Sequence, residues 1–234
     1  MSTIYVINPN STEAVTSAID EALEPLRSDD GPEIECLTLA EGPPGIQTQR
    51  DVDGVVAPLL KRAAALENRA AAFVVACFSD PGLHALREQS ARPAFGIAEC
   101  GVLTALSMAQ RFGVIAILPA SIPRHLRYYG AMGVTDRFAA ELAVNLNVVD
   151  LASEQLTRSR MIDCGRMLRD VHGAGVVVMG CAGMTKYRPV LEDELAIPVV
   201  EPTQAAVTMA IGRVRLGGTA RTFGAAPQPP SGQA

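Results

Sequence analysis

Short, almost wholly apolar runs alternate with amphipathic helical patterns along most of the chain. TIYVIN at residues 3–8, AAFVVAC at residues 71–77 and RFGVIAIL at residues 111–118 are typical of buried strands, and helical spacing follows them. This alternation predicts parallel sheets that are covered by helices on both faces. Ligands bind beyond the carboxyl ends of such strands, so the residues that follow each strand are the first candidates for a site.

The second half of the chain repeats the order of the first. Three pairs of landmarks recur at similar offsets: Pro9 and Pro119, Cys77 and Cys181, and Glu99 and Glu201. We therefore predict an α/β fold of two pseudo-symmetric lobes, each a parallel sheet flanked by helices, with the active site in the cleft between them. The N-terminal lobe is expected over residues 1–110, joined by a helix from about residues 205–220, and the C-terminal lobe over residues 111–204. Residues 224–234 are rich in Pro, Gly and Ser and are predicted to form a disordered tail.

Charge and hydropathy exclude several classes of partner. The chain has 234 residues and a net charge of −5, and no run of Lys and Arg is longer than two residues. This composition argues against nucleic acid or an anionic membrane as the main partner. No apolar run approaches the ~20 residues of a membrane span, and the first residues lack the pattern of a signal peptide. We expect a cytoplasmic protein that acts on a small molecule.

The cysteines do not have the spacing of a disulfide framework or of a zinc site. Five are present: Cys36, Cys77, Cys100, Cys164 and Cys181. The count is odd, and neither a CxxC nor an HExxH motif occurs. We therefore expect reduced thiols and no metal.

Cys77 and Cys181 occupy matching places, each at the end of an apolar strand and just before a turn. A pseudo-two-fold axis would bring these strand ends together and place one thiol on each side of a bound substrate. Such a pair can remove a proton from carbon on one face and return it on the other. A free thiol has a pKa of about 8.5, and helix N-termini are expected to lower it. N–H groups near Ser79 and Gly183 could hold the oxygen of the resulting enolate.

A free cysteine after a strand is more often a small core residue than a catalytic one. The repetition of Cys77 and Cys181 at equivalent positions favours the functional interpretation of this pair. Cys36, Cys100 and Cys164 have no matching partner and are interpreted as structural.

Three motifs resemble one enzyme family. INPNST at residues 7–12, ACFSDPGL at residues 76–83 and GCAGM at residues 180–184 resemble the hydantoin/allantoin racemase branch of the aspartate/glutamate racemase superfamily, over residues 3 to about 215. The resemblance implies two related α/β lobes, cofactor-independent chemistry by Cys77 and Cys181, and a homo-oligomer. It also implies substrate contacts by four matching residues: Asn8, Ser79, Gly183 and Met184.

The expected function is that of an isomerase, a racemase of a five-membered ureide ring such as a 5-substituted hydantoin or allantoin. Two-cysteine proton removal and return at C5 would carry the reaction, without a cofactor. Decarboxylases of the superfamily keep one of the two cysteines, so the presence of both favours racemisation. Two alternatives share the scaffold, a maleate-type cis-trans isomerase and an amino-acid racemase. A third is a small-ligand-binding protein without catalysis.

The segment GPPGIQTQRD at residues 42–51 departs from the family pattern. Related racemases tend to carry an acidic residue and, three positions later, an aromatic one where this chain has Gln47 and Arg50. These two positions are therefore candidates for setting substrate preference. The three histidines, His84, His125 and His172, are scattered along the chain and are interpreted as surface residues.

Overall fold

A computed structural model describes residues 3–146 and 154–217 of the chain. The strands are β1 Thr3–Asn8, β2 Glu33–Thr38, β3 Ala70–Val75, β4 Ala94–Gly96, β5 Phe112–Ala116, β6 Phe138–Ala143, β7 Val176–Met179 and β8 Val199–Val200. The helices are α1 Glu13–Ala22, α2 Gln49–Gly54, α3 Val56–Leu66, α4 Leu83–Gln89, α5 Ile97–Met108, α6 Ile122–Met132, α7 Glu154–Asp170, α8 Arg188–Leu195 and α9 Pro202–Arg215.

The strands form two four-stranded parallel sheets. The N-terminal sheet has the order β2-β1-β3-β4, and the C-terminal sheet has the equivalent order β6-β5-β7-β8. The central strands β1, β5 and β7 are buried along their whole length, as the near-continuous apolar runs of the sequence require. The predicted α/β fold of two related parallel sheets with flanking helices is confirmed.

Successive residues of a strand contribute to core clusters on opposite faces of the sheet. In β1, Ile4 and Val6 pack under α1 and α9, whereas Tyr5 and Ile7 pack under α3 and α4. Helix α5 contributes to the clusters of both sheets and α9 packs on it, so these two helices tie the sheets together. The division of the chain at residues 110 and 204 stays a prediction, and the expected tail at residues 224–234 lies outside the described residues.

The positions of residues relative to the strand ends test the proposed sequence repeat. Cys77 lies two residues beyond the end of β3, and Cys181 lies two residues beyond the end of β7, so this pair is equivalent. The Glu99–Glu201 match is wrong, because Glu201 is the N-cap of α9 whereas Glu99 is the third residue of α5.

The match between INPNS and ILPAS is also shifted. Ile7 lies inside β1, whereas Ile117 follows the last residue of β5, so the matched letters are two residues apart in the sheets.

The two helices that follow the last strand of each sheet are capped differently. Glu201 accepts hydrogen bonds from the N–H groups of Thr203 and Gln204 at the start of α9. Gly96, the residue before α5, has no side chain that could cap the helix. The carboxylate of Asp80 accepts hydrogen bonds from the N–H groups of residues 98 and 99 instead. Asp80 therefore satisfies the N-terminus of α5 from a neighbouring turn.

In the described part of the chain, no helix combines the length and the apolar character needed to cross a bilayer.

We predict that Gly96→Ala destabilises the protein by about 1–3 kcal/mol, because a Cβ at residue 96 would lie 2.2 Å from the Asp80 carboxyl carbon. Gly54→Ala in α2 is the matched control, since its Cβ would meet nothing within 4 Å. This control should gain about 0.4–1 kcal/mol by restricting the unfolded chain. Urea unfolding of both variants measures the difference, and equal effects at the two glycines would contradict the role given to Asp80.

Candidate active site

The carboxyl ends of the two sheets border one cavity. The turn after β3 contributes residues 76–79, and the turn after β7 contributes residues 180–183. Gln47 lines the cavity from the loop before α2, and Arg124 lines it from α6. The predicted site residues Cys77, Ser79, Cys181 and Gly183 are therefore brought together.

Each thiol has a backbone donor two residues further along the chain. The Gly183 N–H donates to the sulfur of Cys181 at 3.2 Å, where Cys181 is the N-cap of a 3-10 helix over Ala182–Tyr187. The Ser79 N–H plays the corresponding part for Cys77, and its hydrogen bond lowers the pKa of that thiol. These N–H groups favour a negative sulfur, as the sequence predicts for strand-to-helix turns.

Burial nevertheless dominates both thiols. Desolvation raises the pKa of Cys77 to about 11 and that of Cys181 to about 12. A negative charge on Cys77 further raises the pKa of Cys181, as does the Glu201 carboxylate. The sequence-based expectation of lowered thiol pKa values is therefore wrong for the ligand-free protein, because water is excluded more strongly than the turns compensate.

Ser79 is the centre of a polar cluster that the sequence did not indicate. Its Oγ accepts a hydrogen bond from Nε of Arg124 at 3.0 Å and lies 3.4 Å from Nε2 of His125. Nδ1 of His125 lies 2.6 Å from Oε1 of Glu141, and the hydroxyl of Tyr129 donates to Oε2 of Glu141 at 3.2 Å. Arg124 and His125 are on α6, whereas Glu141 is on β6.

His125 is not a surface residue. Its side chain is 4% exposed and that of Glu141 is fully buried. The interpretation of His125 as a surface histidine is wrong, because α6 turns this position toward the cavity and the turn after β3. Only its place near the end of β5 could have indicated this location.

Asn8 and Met184 do not belong to the cavity lining. The amide of Asn8 is buried and donates to Asn10 Oδ1 and Thr16 Oγ1, so it shapes the turn that carries Asn10, a lining residue. Met184 is fully buried in the core of the C-terminal sheet. The geometry brings neither side chain together with the cysteines.

The loop over residues 42–51 contributes one of its two unusual residues. Gln47 lines the cavity, and its carbonyl accepts from Nη1 of Arg124 at 2.9 Å. Asp51 fixes the loop by accepting from the N–H groups of Gln47 and Thr48. Arg50 is exposed and is absent from the lining.

Within residues 3–146 and 154–217, no three His, Cys, Asp or Glu side chains are grouped so that they could hold a metal ion.

We predict that alkylation of Cys181 by iodoacetamide rises about tenfold per pH unit between pH 7 and 9.5, because only the thiolate reacts and burial keeps the thiol protonated. Mass spectrometry of the Cys181 peptide measures the rate. The urea-unfolded chain is the control, in which the rate should level off above about pH 8.5. Fast, pH-independent alkylation of Cys181 in the folded protein would contradict the raised pKa.

Comparison with known proteins assigns the chain to a family. The sequence profile of the family described as Asp/Glu/Hydantoin racemase matches residues 4–210. A hydantoin racemase from Paenarthrobacter aurescens is 33% identical over 218 residues, which cover 92% of this chain and 92% of the relative. A hydantoin racemase from Pseudomonas sp. (strain NS671) is 32% identical over 219 residues, which cover 92% of this chain and 86% of the relative.

A solved structure agrees. Allantoin racemase from Klebsiella pneumoniae superimposes with a TM-score of 0.89 at 31% identity, covering 96% of this chain and 92% of that one. The resemblance carried by the three sequence motifs is confirmed. The chain belongs to the Asp/Glu/Hydantoin racemase family and is an isomerase of that family.

Proposed function

We propose that the protein is a cofactor-independent racemase of a five-membered ureide ring, a 5-substituted hydantoin or allantoin. One observation carries this proposal: two thiols at equivalent positions of two related sheets border the same cavity. The named relatives, which are hydantoin and allantoin racemases, support the substrate class. A homo-oligomeric state and a cytoplasmic location accompany the proposal as further expectations.

The chemistry of the ring fits a pair of thiols. The C5 proton lies between a carbonyl carbon and a nitrogen, so its removal gives an enolate. One cysteine removes the proton as a thiolate, and the other supplies a proton to the opposite face as a thiol. Because the charge on Cys77 raises the pKa of Cys181, the pair favours one thiolate and one thiol over two thiolates.

The developing enolate oxygen needs hydrogen-bond donors. Backbone N–H groups in the turns after Cys77 and Cys181 and the guanidinium of Arg124 supply them. Donors that are already fixed before the reaction stabilise the transition state without reorganisation. The hydrogen bonds of Arg124 to Ser79 and to the carbonyl of Gln47 hold the guanidinium in place.

The lining disfavours an amino-acid substrate. An α-amino acid brings an ammonium group, which needs an acidic partner. Among the described residues that line the cavity, none is an Asp or a Glu. A neutral ureide makes no such demand, so the cavity supports the ureide over the amino acid.

We predict that Cys77→Ala and Cys181→Ala each abolish racemisation, with a loss of at least about 1,000-fold, because each variant lacks the group that serves one face of the ring. Loss of optical rotation of L-allantoin and of 5-alkyl and 5-aryl hydantoins measures the activity, with a no-enzyme control for spontaneous racemisation. Cys164→Ala, on α7 and outside the cavity lining, is the matched control and should keep the wild-type rate. Full activity of Cys181→Ala would contradict the two-thiol mechanism.

We predict that the same substrate panel separates neutral rings from amino acids. At least one hydantoin or allantoin should racemise, whereas L-glutamate and L-aspartate should not, because the described residues that line the cavity include no carboxylate for their ammonium groups. Chiral chromatography of each mixture measures the conversion. Turnover of either amino acid at a rate similar to that of the best ureide would reverse the proposed substrate class.

A further inference from the structure

A thiol that is buried from water needs an internal acceptor before it can act as a base at neutral pH. Burial raises the pKa of Cys77 to about 11 although Ser79 and Arg124 oppose the shift, which leaves few thiolates near pH 7. The polar cluster beside Cys77 offers such an acceptor.

Ser79 links Cys77 to that cluster. Ser79 lies two residues after Cys77 in the same turn, and its hydroxyl lowers the pKa of the thiol. The same oxygen accepts from Nε of Arg124 and lies 3.4 Å from Nε2 of His125. All four residues line one cavity. The 3.4 Å separation is long, as is common for catalytic hydrogen bonds before a ligand binds.

Glu141 fixes the state of His125 on the other side of the ring. A carboxylate only accepts hydrogen bonds, so its 2.6 Å contact requires a proton on Nδ1. Tyr129 donates to the second oxygen of Glu141. Nε2 of His125 is therefore the nitrogen left to gain or lose a proton, and it is the nitrogen beside Ser79.

We propose that His125, supported by Glu141, takes up the proton of Cys77 through the hydroxyl of Ser79 and so generates the thiolate base. This inference rests on the proposed racemase function and extends it, since it assigns which thiol starts as the base. His125 and Glu141 act through Ser79 and are positioning residues rather than catalytic ones.

The transfer balances in protons and charge. The S–H bond of Cys77 breaks as its proton moves to Oγ of Ser79, and the O–H bond of Ser79 breaks as that proton moves to Nε2 of His125. A neutral thiol and imidazole become a thiolate and an imidazolium. Before transfer, Ser79 accepts from Cys77 and Arg124 and donates to His125. Afterwards it accepts from His125 and Arg124 and donates to Cys77, so its hydrogen-bonding capacity is filled in both states.

Cys181 lacks the equivalent support. The hydrogen bond found at its sulfur comes from the Gly183 N–H, and the Glu201 carboxylate raises its pKa. A hydroxyl-to-histidine chain occurs at Cys77 and not at Cys181 among the described side chains. Cys77 is therefore the base of the resting enzyme, and Cys181 is the acid.

Charged and titratable groups face His125 from β6, α6 and the turn after β3, and His84 of α4 lines a neighbouring cavity with it. Glu141 faces it from β6. Cys77 and Asp80 belong to the turn after β3. Arg124 and Tyr129 flank it on α6. Glu141 contacts the ring at 2.6 Å, and Arg124 lowers the pKa of Cys77 and so favours its thiolate. Formation of the thiolate–imidazolium pair therefore moves charge within the cluster and leaves its total charge unchanged.

The relay has a distinctive signature in thiol reactivity. An internal transfer changes no total proton count, so the thiolate population that it creates does not depend on pH across the neutral range. Iodoacetamide should alkylate Cys77 at a constant rate between about pH 6.5 and 8.5, while Cys181 in the same molecules speeds up about tenfold per pH unit. Quantitative mass spectrometry of the two peptides reads both rates at once.

His125→Gln should remove the constant phase at Cys77 and lower its alkylation at pH 7 by at least about tenfold, with Cys181 unchanged. The kcat for the ureide that is racemised fastest should fall about 100-fold with KM unchanged. His172→Gln, at the turn after α7, is the matched control and should alter neither thiol. Ser79→Ala leaves the buried His125–Glu141 pair intact and should abolish the constant phase as well. A variant with a damaged fold would instead expose both thiols and accelerate both rates.

Persistence of the constant phase in His125→Gln, or its absence from the wild-type protein, would overturn the relay. The racemase proposal fails separately, through activity that survives in Cys77→Ala. Loss of activity in Cys77→Ala together with wild-type kinetics in His125→Gln would overturn the relay alone.

Discussion

The exclusion of water from the two strand ends is the constraint on which the site depends. Parallel sheets expose their last backbone groups at one edge, and here two such edges border one cavity that carries Cys77 and Cys181. Desolvation makes both thiols weak acids, yet it also makes any charge inside the cavity respond strongly to its neighbours. Because water is excluded, charge in such a site must be stabilised by fixed hydrogen-bond donors, and protons must pass to an internal acceptor.

Helix α6 meets this need for Cys77, although it belongs to the other half of the chain. Arg124 and His125 contact the hydroxyl of Ser79, and the hydroxyl of Tyr128 donates to Asp80 at 2.8 Å. Asp80 has a positive φ of 43° and also caps α5, so the turn is held from both sides. The position of Ser79 therefore depends on how the C-terminal sheet packs against the N-terminal one. Substitutions in α6 should for this reason alter the reactivity of Cys77.

The sequence was sufficient for the two sheets and for the equivalence of Cys77 and Cys181, because buried parallel strands leave long apolar runs and because the duplication kept both thiols. It was not sufficient for the polar cluster. Glu141 lies on a strand with few fully buried residues, and its contact with His125 depends on the packing of α6 against β6. No local pattern encodes such a contact. The motif match likewise pointed to Asn8, whereas the fold brings Asn10 to the cavity.

The duplication therefore preserved the positions of the thiols but not their surroundings, and this difference has a kinetic consequence. A racemase with one thiolate leaves each turnover with the proton on the opposite sulfur, so the free enzyme exists in two forms. Because the two thiols have different neighbouring groups, one form is more stable than the other. The final ratio of enantiomers does not change, since the substrate alone determines it. In the less stable form Cys77 and His125 are both protonated and Cys181 is the thiolate. Cys181 takes up a proton from solvent and His125 releases one to solvent, after which His125 again accepts the proton of Cys77, so the return needs no second substrate molecule. The relay is thus most valuable when one enantiomer greatly exceeds the other, since reverse turnover is then too rare to regenerate the starting form.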